Sequence, residues 1–248
     1  MSHRFLILTV TAIAAGLLLP MQAQASAGFH PPGHHSTEWA PILVKATVPT
    51  TPKAWANAID NPWFPLPPGK RLIYTGIKDG KRADREVEVT AKTKDIGGVT
   101  CVVVEDRVSL SGKSAEKTIS YYAQDTIGNV WLFGEDSLTL NSEGKVVGTK
   151  SWRAGTDGAE PAFVMEAAPT VGDAFAHKYT NGNFEVLSTR EPVKVPYKSF
   201  DAAVMIKEWS SEEPDVLSHK FYVQGIGEVR DVTVKGDPEE LLLVKVAP

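Results

Sequence analysis

From Lys70 onward, apolar residues recur at every second position, and turn residues interrupt them roughly every 8–14 positions. That period is the signature of half-buried β-strands. The pattern predicts strands at 71–75, 85–90, 99–108, 117–122, 130–134 and 146–152. After a break it predicts more at 174–179, 185–189, 202–209, 218–223, 228–234 and 241–246. Asp79-Gly80 is a two-residue hairpin signal, because both central positions of that turn need positive φ. Between 85 and 90, Val87 and Val89 alternate with charged neighbours, so one face of that strand is wet. Residues 154–172 break the rhythm with Gly155, Gly158, Pro161, Pro169 and Gly172 around the apolar piece Phe163-Val164-Met165. They read as a long connection across one end of the sheet. The expected fold is all-β, with little or no helix. It is a single curled antiparallel sheet, half-barrel or barrel, of about 11–13 strands in a meander, each paired with its predecessor.

The pattern before Lys70 is different. Arg4 precedes an apolar run from Phe5 to Leu19, followed by Pro20 and the small-residue sites Ala23-Gln24-Ala25 and Ala25-Ser26-Ala27. This is a secretory signal peptide over residues 1–27, with cleavage after Ala25 or Ala27 left open. The run is shorter than the roughly 20 residues that span a bilayer, and no second such run follows. Residues 28–53 read as a flexible Pro- and His-containing arm, and residues 54–248 as a single β domain. Ala54 to Ile59 suits one helical turn. The prolines of Asn61-Pro62-Trp63-Phe64-Pro65-Leu66-Pro67-Pro68 then force an extended path, with Trp63 and Phe64 clamping it onto the domain. A polyproline docking strip is the alternative.

Charge and cysteine usage narrow the function. The chain carries a net charge of −4, or −5 once Arg4 leaves, with no block of Lys or Arg. That disfavours nucleic acid and anionic membrane surfaces as partners. The lone Cys101 forms no disulfide within the chain, and its position in Val99 to Val104 reads as a buried, inert thiol. The location that follows is periplasmic or secreted.

The sharpest chemistry lies at the cut end. Cleavage after Ala27 exposes Gly28-Phe29-His30, whose amine, two amides and imidazole form a square-planar set suited to copper or nickel. His34 and His35 add imidazoles on the same arm. A mature chain starting at Ser26 destroys the arrangement. No other cofactor has a motif here. The acidic pairs Glu105-Asp106, Glu135-Asp136 and Glu212-Glu213 read as solvated strand ends, since adjacent strand residues point to opposite faces. Hydrolysis would need two carboxylates from different strands, with Glu135 or Glu208 involved. Asp125 to Asn129 resembles a calcium loop only superficially, and reads as a hairpin loop with Gly128 or Asn129 at positive φ. His177 and His219 fall in strands without a nucleophile motif. The missing motifs weigh against an enzyme without excluding one. Trp131, Trp152 and Trp209 lie in strands, where they either line a cleft or fill a core.

Three phrases carry a resemblance. Ile59 to Leu66, Tyr122 to Trp131, and Glu208-Trp209 with Glu213-Pro214 resemble a family of uncharacterised exported bacterial proteins rich in β-structure. The resemblance implies export and one β-rich domain, and transfers no functional residue. The strand pattern is also similar in outline to periplasmic lipoprotein-carrier half-barrels and calycin-like barrels. The leading expectation is therefore an exported, non-catalytic binding protein for a small apolar molecule or envelope component. Trp131, Trp152 and Trp209 are its candidate ligand residues. Binding needs a cavity of about 300 Å³ or more lined by aromatic and aliphatic groups, and a filled interior argues instead for a structural or protein-interaction role. Metal handling by Gly28, His30, His34 and His35 and hydrolysis of envelope polymers are the alternatives.

Overall fold

The computed structural model describes residues 47, 49–177 and 181–248. Among them there is no helix; thirteen strands belong to one antiparallel sheet. The strands are β1 (Arg71–Lys78), β2 (Lys81–Ile96), β3 (Val99–Leu110), β4 (Lys113–Gln124), β5 (Val130–Leu140), β6 (Val146–Arg153), β7 (Ala162–Met165), β8 (Ala174–Ala176), β9 (Gly182–Lys194), β10 (Ser199–Ser210), β11 (Leu217–Val223), β12 (Gly227–Lys235) and β13 (Glu240–Ala247). Two meanders, β1 to β6 and β8 to β13, are joined where the first and last strands pair. That joint runs from Arg71 opposite Ala247 to Ile77 opposite Glu240. Gly76 lets the two backbones meet, because a Cβ there would lie 1.7 Å from the Glu240 carbonyl oxygen. Asp79 and Gly80 turn β1 into β2 with φ of 51° and 66°, the conformation that the hairpin signal requires.

Three expectations are corrected. Ala162–Met165 is a strand rather than plain connection, and it pairs with β5. It takes the Val130–Leu132 half of the β5 edge, while β6 takes Gly134–Leu140. Pairing with the predecessor therefore fails for β7 and β8. The chain around Trp55 is not helical: Trp55 bridges to Asp125, and the Ala56 amide donates to the Gln124 carbonyl. Its backbone groups find partners on the sheet, which an isolated turn cannot offer.

The sheet does not close into a barrel. Its ends approach through side chains instead. Phe163 of β7 packs on Phe175 of β8 with centroids 4.6 Å apart, and His177 Nε2 meets the Phe163 carbonyl. The core has two parts. One joins β2–β5, β7, β9 and β10 to Ile59 and Leu66; the other gathers around β1 and β10–β13. Cys101 is buried in the first, and burial pushes its thiol up to about 12. No described helix is long and apolar enough to cross a membrane.

Candidate functional site

The site lies on the concave face, and strand register builds it. Tyr74 pairs with Arg85, and Val87 with Asp106, so these side chains share a face with Val104 and Ser120. On the other meander, Glu208 faces Ser218, Ile206 faces Lys220, and Lys220 faces Asp231. A bulge between Phe221 and Tyr222 leaves Val229 extra on β12, so Tyr222 faces Glu228. The extra residue restores Glu228 to the side that Asp231 occupies. Residues of β1–β4 and of β9–β12, with Val164 of β7, then line one cavity of about 90 Å³, which requires the sheet to curl around it. Phe64, Pro65 and Leu66 of the leading segment roof it beside Ile226 and Gly227.

That roof is fastened by Asn61 and Lys70. Asn61 is 1% exposed; its Nδ2 donates to the Gly128 and Glu166 carbonyls at 2.8 and 2.9 Å. Its Oδ1 accepts from the Trp63 and Phe64 amides. Lys70 Nζ donates to the Pro65 and Ile226 carbonyls at 2.8 and 2.7 Å. Desolvation there lowers its ammonium to about 8. Rings continue the wall: Phe64 lies 5.3 Å from Tyr122 and 6.3 Å from Tyr222, and Phe184 also lines the cavity.

The floor is charged. Arg85 donates through Nε to Asp106 Oδ2 at 2.9 Å and through a terminal nitrogen to Glu228 Oε1 at 2.6 Å. Burial works against its charge, but Asp106 and Glu228 overcome it and hold the guanidinium well above its ordinary value. Lys220, 2% exposed, meets Glu208 Oε2 at 2.7 Å. Burial opposes that ammonium too, yet Glu208, Asp231 and Glu228 raise it overall. Desolvation raises Glu208 despite Lys220, and pushes Asp231 up in the same way. Among the described residues, Arg85 pairs with Asp106 and Glu228, and Lys220 pairs with Glu208 and acts on Asp231. Among the described residues, Asp106 Oδ1 and Asp231 Oδ2 are buried without a hydrogen-bond partner. Tyr74 donates to the Glu228 carbonyl at 2.8 Å. Burial raises Tyr74, Tyr122 and Tyr222 well above the usual phenol range, so they stay neutral.

The residues singled out by sequence are scattered. Trp131 is core: its Nε1 donates to Asp125 Oδ2, and it packs edge-on to Trp55 and Phe163. Trp152 sits half-buried on β6 opposite Glu135. Trp209 borders the cavity, but alternation places its indole on the other face from Glu208, 4.6 Å from Lys207 Nζ. The metal candidates Gly28, His30, His34 and His35 lie outside the described residues. Among those described, no group of His, Cys, Asp or Glu is arranged to hold a metal. Asp106 and Glu135 are not solvated strand ends: the curl turns both inward, where Glu135 accepts from Ser120 Oγ at 3.3 Å. Glu105 points outward to Lys92 and Arg107. Asp125 organises the β4–β5 loop by accepting from the Ile127 and Asn129 amides, with Gly128 at φ 94°. His177 is buried and held down to about 4 by desolvation, which its bond to the Phe163 carbonyl only partly offsets. His219 is lowered too, by burial and by Lys207 and Arg230.

No family model and no curated protein matches the chain. Two solved structures are similar in outline. One is an inferred exported protein with a YmcC-like fold from Bacteroides fragilis, at 14% identity and a TM-score of 0.44, covering 75% of this chain and 99% of that one. The other is an inferred lipoprotein from Parabacteroides distasonis, at 12% identity and a TM-score of 0.38, covering 75% of this chain and 98% of that one. At these scores the likeness carries no inference about ligand or activity.

Proposed function

We propose that the chain is an exported, non-catalytic binding protein that holds a small amphipathic molecule on the concave face of its sheet. The polar end of the ligand enters the charged cavity, and its apolar part lies against the surrounding rings. The observation that supports this most is the buried charge cluster around an unfilled space. Burying an ion costs several kcal/mol, and apolar residues of similar volume often stabilise a fold as well or better. Folding alone therefore gives no reason for Arg85, Asp106, Lys220, Glu208, Glu228 and Asp231 to meet. Ligand orientation does: binding sites are largely apolar walls with a few placed polar groups.

The cavity of about 90 Å³ is too small for a whole drug-sized ligand. Export rests on the signal pattern of residues 1–27, which sends the mature chain to the periplasm or outside the cell. The carboxylates considered for hydrolysis are engaged, Glu208 by Lys220 and Glu135 by Ser120, which favours binding over catalysis.

Native mass spectrometry of protein purified from its own host tests the reading. The expected spectrum shows the mature chain with one small molecule attached, released on collisional activation. A bare chain, or one carrying only a protein partner, overturns it.

A further inference from the structure

The groups on the cavity wall restrict the head group that it can take. An anion has no cation left to meet: Arg85 spans Asp106 and Glu228, and Lys220 holds Glu208. A cation is not called for, because desolvation already raises Glu208 and Asp231 toward their neutral forms. Nor is there room for one between the rings, since Phe64 packs directly on Tyr122 and Tyr222. An uncharged group remains, and two wall residues say what it must do. Tyr222 is 5% exposed and lines the cavity from β11, opposite Glu228. Among the described residues its hydroxyl has no hydrogen-bond partner. Burial and the carboxylates of Glu228, Glu208 and Asp231 keep it protonated, so it brings a proton without an acceptor. Asp106, on the same wall, is the opposite case: Oδ2 takes Arg85, and Oδ1 is buried without a donor. Buried polar atoms are rarely left unpaired, because each has lost its water. A group that accepts at Tyr222 and donates toward the carboxylates removes both deficits. An ether or an ester only accepts, and would turn its lone pairs on Asp106.

Resting on the binding reading above, we infer that the cavity takes an uncharged head group that both accepts and donates a hydrogen bond, the chemistry of an alcohol or a primary amide. The head group accepts from the Tyr222 hydroxyl and gives its own proton to the carboxylate wall at Asp106. The apolar part of the ligand lies against Phe64 and Phe184. The Arg85 and Lys220 ion pairs stay intact, so binding displaces no charge.

Isothermal titration of the mature chain at pH 7 tests this with probes that share one alkyl chain: octanol, octanamide, octyl methyl ether, octanoate and octyltrimethylammonium. The expected result is one octanol or octanamide per chain, at least about tenfold tighter than the ether and than either charged probe. Either of the two binding in this way supports the inference, and the tighter one identifies the group as hydroxyl or amide. Tyr222→Phe keeps the ring and removes the unpaired proton, and should bring octanol and octanamide down to the level of the ether. An unchanged preference in Tyr222→Phe overturns the head-group assignment and leaves the binding reading standing. So does an ether or charged probe that binds the parent chain as tightly as octanol and octanamide. Binding of none of the probes overturns both.

Discussion

Replacing Asn61 by alanine removes one of the two side-chain fastenings of the cavity roof and leaves the other, Lys70, in place. The Asn61 side chain is 1% exposed and makes four hydrogen bonds: two from Nδ2 to the Gly128 and Glu166 carbonyls, and two accepted by Oδ1 from the Trp63 and Phe64 amides. A net hydrogen bond contributes roughly 1 kcal/mol, and a buried group left unsatisfied costs more. Asn61→Ala is therefore expected to cost about 3–5 kcal/mol. Asn61→Asp separates bonding from packing. It keeps the shape and the two accepted bonds, but turns a carboxylate oxygen toward two carbonyls. It should destabilise at neutral pH despite being isosteric. Urea unfolding followed by tryptophan fluorescence gives both numbers, with the slope m unchanged if only stability moves. A loss under about 1 kcal/mol for Asn61→Ala, or an aspartate variant as stable as the parent, would refute the assignment of Asn61 as the hub.

Three more outcomes are expected. Gly76→Ala places a Cβ 1.7 Å from the Glu240 carbonyl and must part β1 from β13, costing at least about 2 kcal/mol in urea unfolding; a neutral result contradicts the close approach. Lys220→Met leaves Glu208 buried without its cation, costing about 3–5 kcal/mol at pH 8; the loss should shrink on acidification as Glu208 takes up a proton, and a pH-independent loss would argue against the ion pair. His177 is held down to about 4, so the unfolded chain binds its proton first: stability present above pH 6.5 is lost as pH falls toward 4, by about 3 kcal/mol, and His177→Phe should flatten that part of the pH profile.

The strands were legible because their chemistry is local. Period-two alternation and the Asp79-Gly80 turn act within a few residues, and the structure has both. Ala162–Met165 escaped because four consecutive apolar residues carry no alternation, and their pairing with β5 is set by tertiary contact. The cavity was not legible for a different reason. Arg85, Asp106 and Lys220 each look like ordinary charged strand positions. Their burial depends on register across most of the sheet and on the bulge that returns Glu228 to the face of Asp231. One signal was available. Glu105 and Asp106 fall on opposite faces of one strand, and the inward one of the two meets Arg85. The tryptophans drew attention through size, whereas the cavity is walled by Phe64, Tyr122, Phe184 and Tyr222.

Ligand binding requires that the cavity inside the curled sheet stay open. A crystal structure of the mature chain purified from its own host tests this most directly. Density for a small molecule in the cavity lined by Phe64, Tyr122 and Tyr222, with the Arg85 and Lys220 ion pairs intact, is the predicted result. A cavity closed by its own side chains, or filled by ordered water alone, would contradict it.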